Sequence, residues 1–205
     1  MKKIVLSAVA VMVFGFTNAQ SAKFGLKVGL NDANQVYSGS GAPSSSSIMG
    51  FNLGGFVDVK IADKFHIQPE LLYSTQGSKF NLTVPNGGTN YNTENTFKLS
   101  YLNIPVMFKY YAAEKFSLEA GPQIGFLVDS KLVVNVLGQS VSQDAKDLFE
   151  KIDLGFNLGA GYDISNKFSA GIRYNIGLSN VMKTESGDDS KIKNNVLSLS
   201  VGYKF

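Results

Sequence analysis

Residues 101–126 read YLNIPVMFKYYAAEKFSLEAGPQIGF, and their alternation decides the fold. Counting in twos, Leu102, Ile104, Val106, Phe108 and Tyr110 share one face, while Tyr101, Asn103, Pro105, Met107 and Lys109 share the other. A short turn at 111–115 separates this run from a second. There Phe116, Leu118, Ala120, Pro122, Ile124 and Phe126 form the apolar row, and Ser117, Glu119, Gly121, Gln123 and Gly125 lie opposite. Period two is the repeat of a β-strand, and two such runs joined by a short turn predict an antiparallel hairpin.

The same pattern extends in both directions. Upstream, predicted strands cover 22–31, 50–60 and 65–76; downstream, they cover 152–164, 168–179 and 195–205. With the hairpin this makes eight. The connections alternate in length: polar stretches at 32–47, 77–96, 131–150 and 180–193 are long, and those at 61–64, 111–115 and 165–167 are short. Pro85-Asn86-Gly87-Gly88 marks a turn in the second long connection, residues 144–150 have the makings of one or two helical turns in the third, and 185–189 read as an exposed acidic tip in the fourth. Pro69, Pro105 and Pro122 cannot donate to a ladder, so a bulge or an unpaired position is expected at each.

The two faces differ in a way that fixes the environment. One carries long apolar and aromatic side chains from every strand; the other mixes charges, amides and glycines. Packed inward, the apolar rows would need more room than a small barrel has. Turned outward, they meet lipid, and strands of about ten residues that alternate apolar-out and polar-in describe a transmembrane β-barrel. The fold class is therefore all-β, an eight-stranded antiparallel up-and-down barrel, with the long loops extracellular and both termini periplasmic. Phe24, Phe65, Phe108, Tyr110, Phe116, Tyr162, Phe168 and Tyr203 fall near strand ends on the periplasmic side, together with Phe205; Phe51, Tyr73 and Phe126 fall near the other rim. Such girdles suit a membrane interface.

Targeting and composition agree. Residues 1–19 read as a cleaved secretory signal, with Lys2 and Lys3 before an apolar core and small residues ahead of Gln20, leaving 20–205 as the barrel. Loss of those two lysines takes 19 basic residues to 17 against 16 acidic ones, a mature charge near +1, so nothing points to nucleic acid as a partner. Cysteine is absent, which excludes disulfides and zinc-thiolate sites; a barrel closed by its own hydrogen bonds needs no staple.

Gln68-Pro69-Glu70-Leu71-Leu72-Tyr73, residues 101–106, residues 119–125, Gly159-Ala160-Gly161-Tyr162 and residues 173–178 resemble the PorT-type outer-membrane β-barrel family of the Bacteroidota. The resemblance covers almost all of the mature chain. It implies an eight-stranded outer-membrane barrel inserted by the barrel assembly machinery, for which Phe205 resembles the recognition signal. It implies no reaction and no cofactor.

Candidate functional residues lie on the inward face: Lys27, Asp58, Glu70, Lys109, Glu119, Asp129, Asp153 and Arg173. They are expected to pair as the polar filling of a narrow lumen, because an isolated buried charge costs several kcal/mol. Lys109 and Glu119 are expected to be diagonal neighbours, and Glu70 with Arg173 completes the network. His66, the single histidine, reads as a rim residue without a catalytic partner. Gly159-Ala160-Gly161 begins like a dinucleotide motif, but no helix pattern follows. The expected protein is thus a monomeric, non-enzymatic barrel, structural or acting through loops whose partner the sequence does not name. A narrow pore for ions or small solutes is the alternative, and a soluble lipocalin-like ligand-binding barrel, with its apolar rows turned inward, is the second.

Overall fold

The computed structural model describes residues 22–38, 45–86, 89–136, 139–183 and 191–205. The expected signal segment, Gly87-Gly88 and the acidic tip at 185–189 lie outside the described residues. The strands are β1 (Ala22–Ser38), β2 (Ser45–Ser46), β3 (Ile48–Ala62), β4 (Phe65–Asn86), β5 (Thr89–Tyr111), β6 (Phe116–Val136), β7 (Gln139–Asp144), β8 (Ile152–Asp163), β9 (Phe168–Gly177) and β10 (Lys191–Lys204). A single 3-10 turn, Lys146–Leu148, follows β7.

Eight of these close into a ring. β1 pairs with β3, β3 with β4, and so on through β5, β6, β8, β9 and β10, until β10 returns to β1 over a register that runs from Gly25↔Lys204 to Ser38↔Lys191. Every pairing is antiparallel. Closure leaves the ring no free edge, the condition for a sheet to cross hydrocarbon with its backbone satisfied. β2 and β7 stand outside the ring and pair with the upper parts of β4 and β6.

The apolar rows face outward. Leu26 is 54% exposed, Leu30 59% and Leu199 58%, whereas Glu70 and Tyr101 are fully buried. This inverts a lipocalin and removes the soluble ligand-binding reading. Val57 and Val59 continue an outward row by count but are buried, being small residues in register with Phe24 and Ile67.

Three expectations about the elements need correction. Three long connections are in large part strand: β1 runs on to Ser38, β4 and β5 run on together to Asn86↔Thr89, and β6 runs to Val136 and pairs with β7. Between them they raise a sheet well past the ring's rim. The prolines behave as expected, with unpaired positions instead of bulges: ladders lapse around Pro69, Pro105 and Pro122 and resume in phase. Shifts occur elsewhere, at Lys60/Ala62 and at Ser100/Tyr101. The second opposes Tyr101 to Leu127 and Ser100 to Asp129, leaving Val128 as an extra residue that reverses the count beyond it. Asp129 is therefore turned out, with its side chain 44% exposed, and does not belong to the lumen. Finally, Lys109 and Glu119 are directly opposite, not diagonal.

Candidate functional site

The lumen is filled in layers, and its polar layers are built by inward positions of the alternating strands. Nearest the short-turn end, Asp58 on β3 accepts from Nδ1 of His66 on β4 at 2.5 Å. The His66 ring lies 4.7 Å from that of Tyr111, centroid to centroid. Tyr111 donates its hydroxyl to Asp163 at 3.0 Å, and Lys204 reaches Asp163 at 2.9 Å and Asp58 at 3.6 Å. His66 lies at the rim, as expected, and has a carboxylate partner there: β3 and β4 turn back on each other within a few residues, which puts its ring against buried Asp58. A cavity of about 730 Å³ opens here, lined among others by Lys23, Lys60, His66 and Lys204.

Deeper in, Glu70 on β4 is the hub. Arg173 on β9 grips it with two hydrogen bonds, Nη1 to Oε2 at 2.9 Å and Nη2 to Oε1 at 3.0 Å. Lys27 on β1 donates to Oε1 at 2.5 Å, and Gln68 donates to the same oxygen at 2.7 Å. Arg173 also donates to Glu119 at 3.1 Å, and Glu119 pairs with Lys109 at 3.2 Å. Lys109 lies 3.9 Å from Asp58, which joins this layer to the one below. Four cations, Lys27, Lys109, Arg173 and Lys204, face four carboxylates, Asp58, Glu70, Glu119 and Asp163. A buried carboxylate needs such partners, since removing it from water without them costs several kcal/mol. All six residues expected in the network (Lys27, Asp58, Glu70, Lys109, Glu119 and Arg173) are brought together. Lys204 and Asp163 belong with them, and their inward parity was the available signal.

Above the charges lies a layer of amides and hydroxyls. Asn52 donates to Asn31 at 2.6 Å, Ser198 donates to the same oxygen at 2.8 Å, and Asn31 donates to Ser74 at 3.0 Å. Asn175 donates to Asn157, which donates to Gln123. The cavity left among them is about 40 Å³, room for about one water. Asp153 sits higher, accepting from Ser179 and Asn194.

The top is apolar. Phe97, Leu99 and Tyr101 from β5, Leu127 from β6, Ile192 from β10, and Ala145, Phe149 and Val181 from the long connections form one buried cluster. Phe149 meets Phe97 edge-on at 5.1 Å and 83°. Its segment is fixed across the mouth by the Ala145 amide to the Ser130 carbonyl, Glu150 to Val181, and Lys183 to Leu148. Residues 144–150, where helical turns were expected, thus form a lid with one 3-10 turn.

On the outer surface the expected aromatics gather at the short-turn end. Phe24, Phe65, Phe108, Tyr110, Phe116, Tyr162 and Phe168 are exposed, and Tyr203 is half-buried between Phe168 and Phe205 at 5.1 and 5.4 Å. Phe51 and Tyr73 pair at 6.0 Å toward the other rim.

Residues 18–183 match the family model described as "Outer membrane protein beta-barrel domain". The chain belongs to that family. It resides in the outer membrane. Among solved structures, this outer-membrane barrel is similar to the attachment invasion locus protein Ail of Yersinia pestis, at 14% identity and a TM-score of 0.51 over 91% of this chain and 100% of that one. Ail in complex with the heparin analogue sucrose octasulfate aligns at 15% identity and a TM-score of 0.50, with the same coverage. Neisserial surface protein A aligns at 18% identity and 0.48, over 91% and 100%. No curated protein sequence matches.

Proposed function

We propose that this protein is a sealed, monomeric outer-membrane barrel without catalytic activity, which works as a structural element or through the parts it raises above the membrane. The observation that carries this reading is Glu70, fully buried at the centre of the lumen and bound at once by Lys27, Gln68 and Arg173. Those side chains fill the cross-section available to eight strands. The apolar lid under Phe149 closes the same path a second time. The Asp58–His66 pair reads as structural, because Asp58 also balances Lys109 and Lys204.

In this reading the long-loop end faces outward from the cell and the short-turn end faces the periplasm. The exposed aromatics at the short-turn end then meet the inner lipid interface, residues 1–19 direct export, and Phe205 is the signal read by the barrel assembly machinery. The PorT-type resemblance within the wider family rests on the segments at 68–73, 101–106, 119–125, 159–162 and 173–178 taken together. Planar-bilayer recording on refolded protein tests the seal. Wild type is expected to show no steady conductance; an ohmic current that changes on Arg173→Gln would overturn it in favour of the narrow pore.

A further inference from the structure

Where the outer belt below carries leucines, the outward face above the rim carries lysines. Lys98 on β5 stands directly opposite Lys131 on β6, and beside Gly77 on β4. Like charges directly opposite across a sheet repel, yet two ammonium groups are held here on adjacent strands. Lys131 has Asp129 at 3.9 Å, and Lys98 has no ion-pair partner among the described residues. Lys79 is balanced by Glu94 at 2.9 Å. Thr96 and Ser100 flank Lys98 on the same outward row and bring hydroxyls to it. The lysines, their carboxylates and the two hydroxyl residues line one groove of about 670 Å³ whose lower edge is apolar, formed by Ile48, Met49 and Phe51. Met49 is 70% exposed.

A groove with ammonium and hydroxyl donors above and apolar side chains below matches an amphiphile with an anionic head. Height agrees. Lys98 lies four residues beyond Leu102, the register partner of the rim residue Tyr73. At about 3.3 Å per residue and a tilt near 40°, that is roughly 10 Å above the aromatic rim, and a lysine stem reaches back toward the interface. We propose that Lys98 and Lys131, with Thr96 and Ser100, bind the phosphate of a phosphorylated glycolipid in the outer leaflet, whose acyl chains lie against Met49 and Phe51. Arrival of the phosphate separates Lys131 from Asp129 and relieves the Lys98–Lys131 repulsion. The inference rests on the reading that the long-loop end faces outward.

Native mass spectrometry of the refolded barrel in detergent tests it, with bisphosphorylated lipid A, its dephosphorylated form and phosphatidylcholine as probes. Wild type is expected to retain bisphosphorylated lipid A, and the Lys98→Gln/Lys131→Gln double variant to lose about tenfold or more of that binding, since each lysine near an anionic surface contributes appreciably. Lys64→Gln/Lys115→Gln, at the other end, is expected to bind as wild type. Equal retention of the dephosphorylated lipid, unchanged binding by the first double variant, or an equal loss in the second would overturn the site. The orientation is read separately on intact cells, using single cysteines in this cysteine-free chain and a membrane-impermeant maleimide. Labelling at Asp147→Cys but not at Glu114→Cys supports the outer leaflet as the source. The reverse pattern defeats that assignment even if lipid binding in detergent persists.

Discussion

Glu70 is the residue on which the charge layer turns. It is reached from three different strands, by Lys27 from β1, Gln68 from its own β4 and Arg173 from β9, so its carboxylate ties together walls of the ring that no single backbone ladder connects. Replacing it with Gln keeps the shape and removes the charge, leaving Lys27 buried without its anion and Arg173 with Glu119 alone. Breaking one side of a buried ion pair costs about 3–5 kcal/mol, more than the pair itself contributes against an apolar filling. Glu70→Gln is therefore expected to lower the urea midpoint of the refolded barrel in micelles. Adding Arg173→Met should restore part of the loss, with a coupling of roughly 0.5–3 kcal/mol in the double-mutant cycle. An unchanged midpoint in Glu70→Gln would mean that water, not these partners, solvates the carboxylate.

At the scale of elements, the lid at 144–150 is held by its apolar side chains and by a few backbone hydrogen bonds, whereas the ring beneath it is held by continuous ladders. Phe149→Ala removes the ring that packs on Phe97, a change worth about 3–5 kcal/mol in a buried site. The expected result is local: amide exchange speeds up at Ala145, Glu150 and Lys183, while amides of β8 and β9 keep their protection. Uniform loss of protection would show that the lid and the ring fold as one unit. The two parts also differed in how far their sequence could be read. In β8, Leu154, Phe156 and Leu158 alternate with Asp153, Gly155 and Asn157 without a break, and every face is where counting in twos puts it. Above the rim the rows hold Ser, Thr, Asn and Lys with scattered Phe80, Leu82 and Phe97, so strand there resembles loop. Val128 adds one residue and thereby misplaces Asp129 for any count that passes through it. Phe149 and Val181 lie in irregular segments with no period at all, and their meeting over the mouth depends on the closure of the whole ring.

For the molecule as a whole, the stacking of layers means that the lumen is obstructed twice in series. The lid closes the long-loop end with apolar contacts, and the charge layer around Glu70 closes the middle with ion pairs, the two separated by the amides of Asn31, Asn52 and Asn157. Obstacles in series do not share the burden, because current stays blocked while either one stands. Phe149→Gly is thus expected to remain silent in a planar bilayer, its mouth opened onto an intact charge layer. The triple variant Lys27→Ser/Glu70→Ser/Arg173→Ser removes two cations and one carboxylate together, leaves Glu119 its Lys109 partner, and is expected to stay silent beneath an intact lid. Only the combination of all four changes should pass steady current, at a size set by an interior that eight strands keep narrow. Conductance in either partial variant would show that one of the two layers is no barrier. Silence in the combined variant would place the decisive obstruction among the amides, where the open space is about 40 Å³.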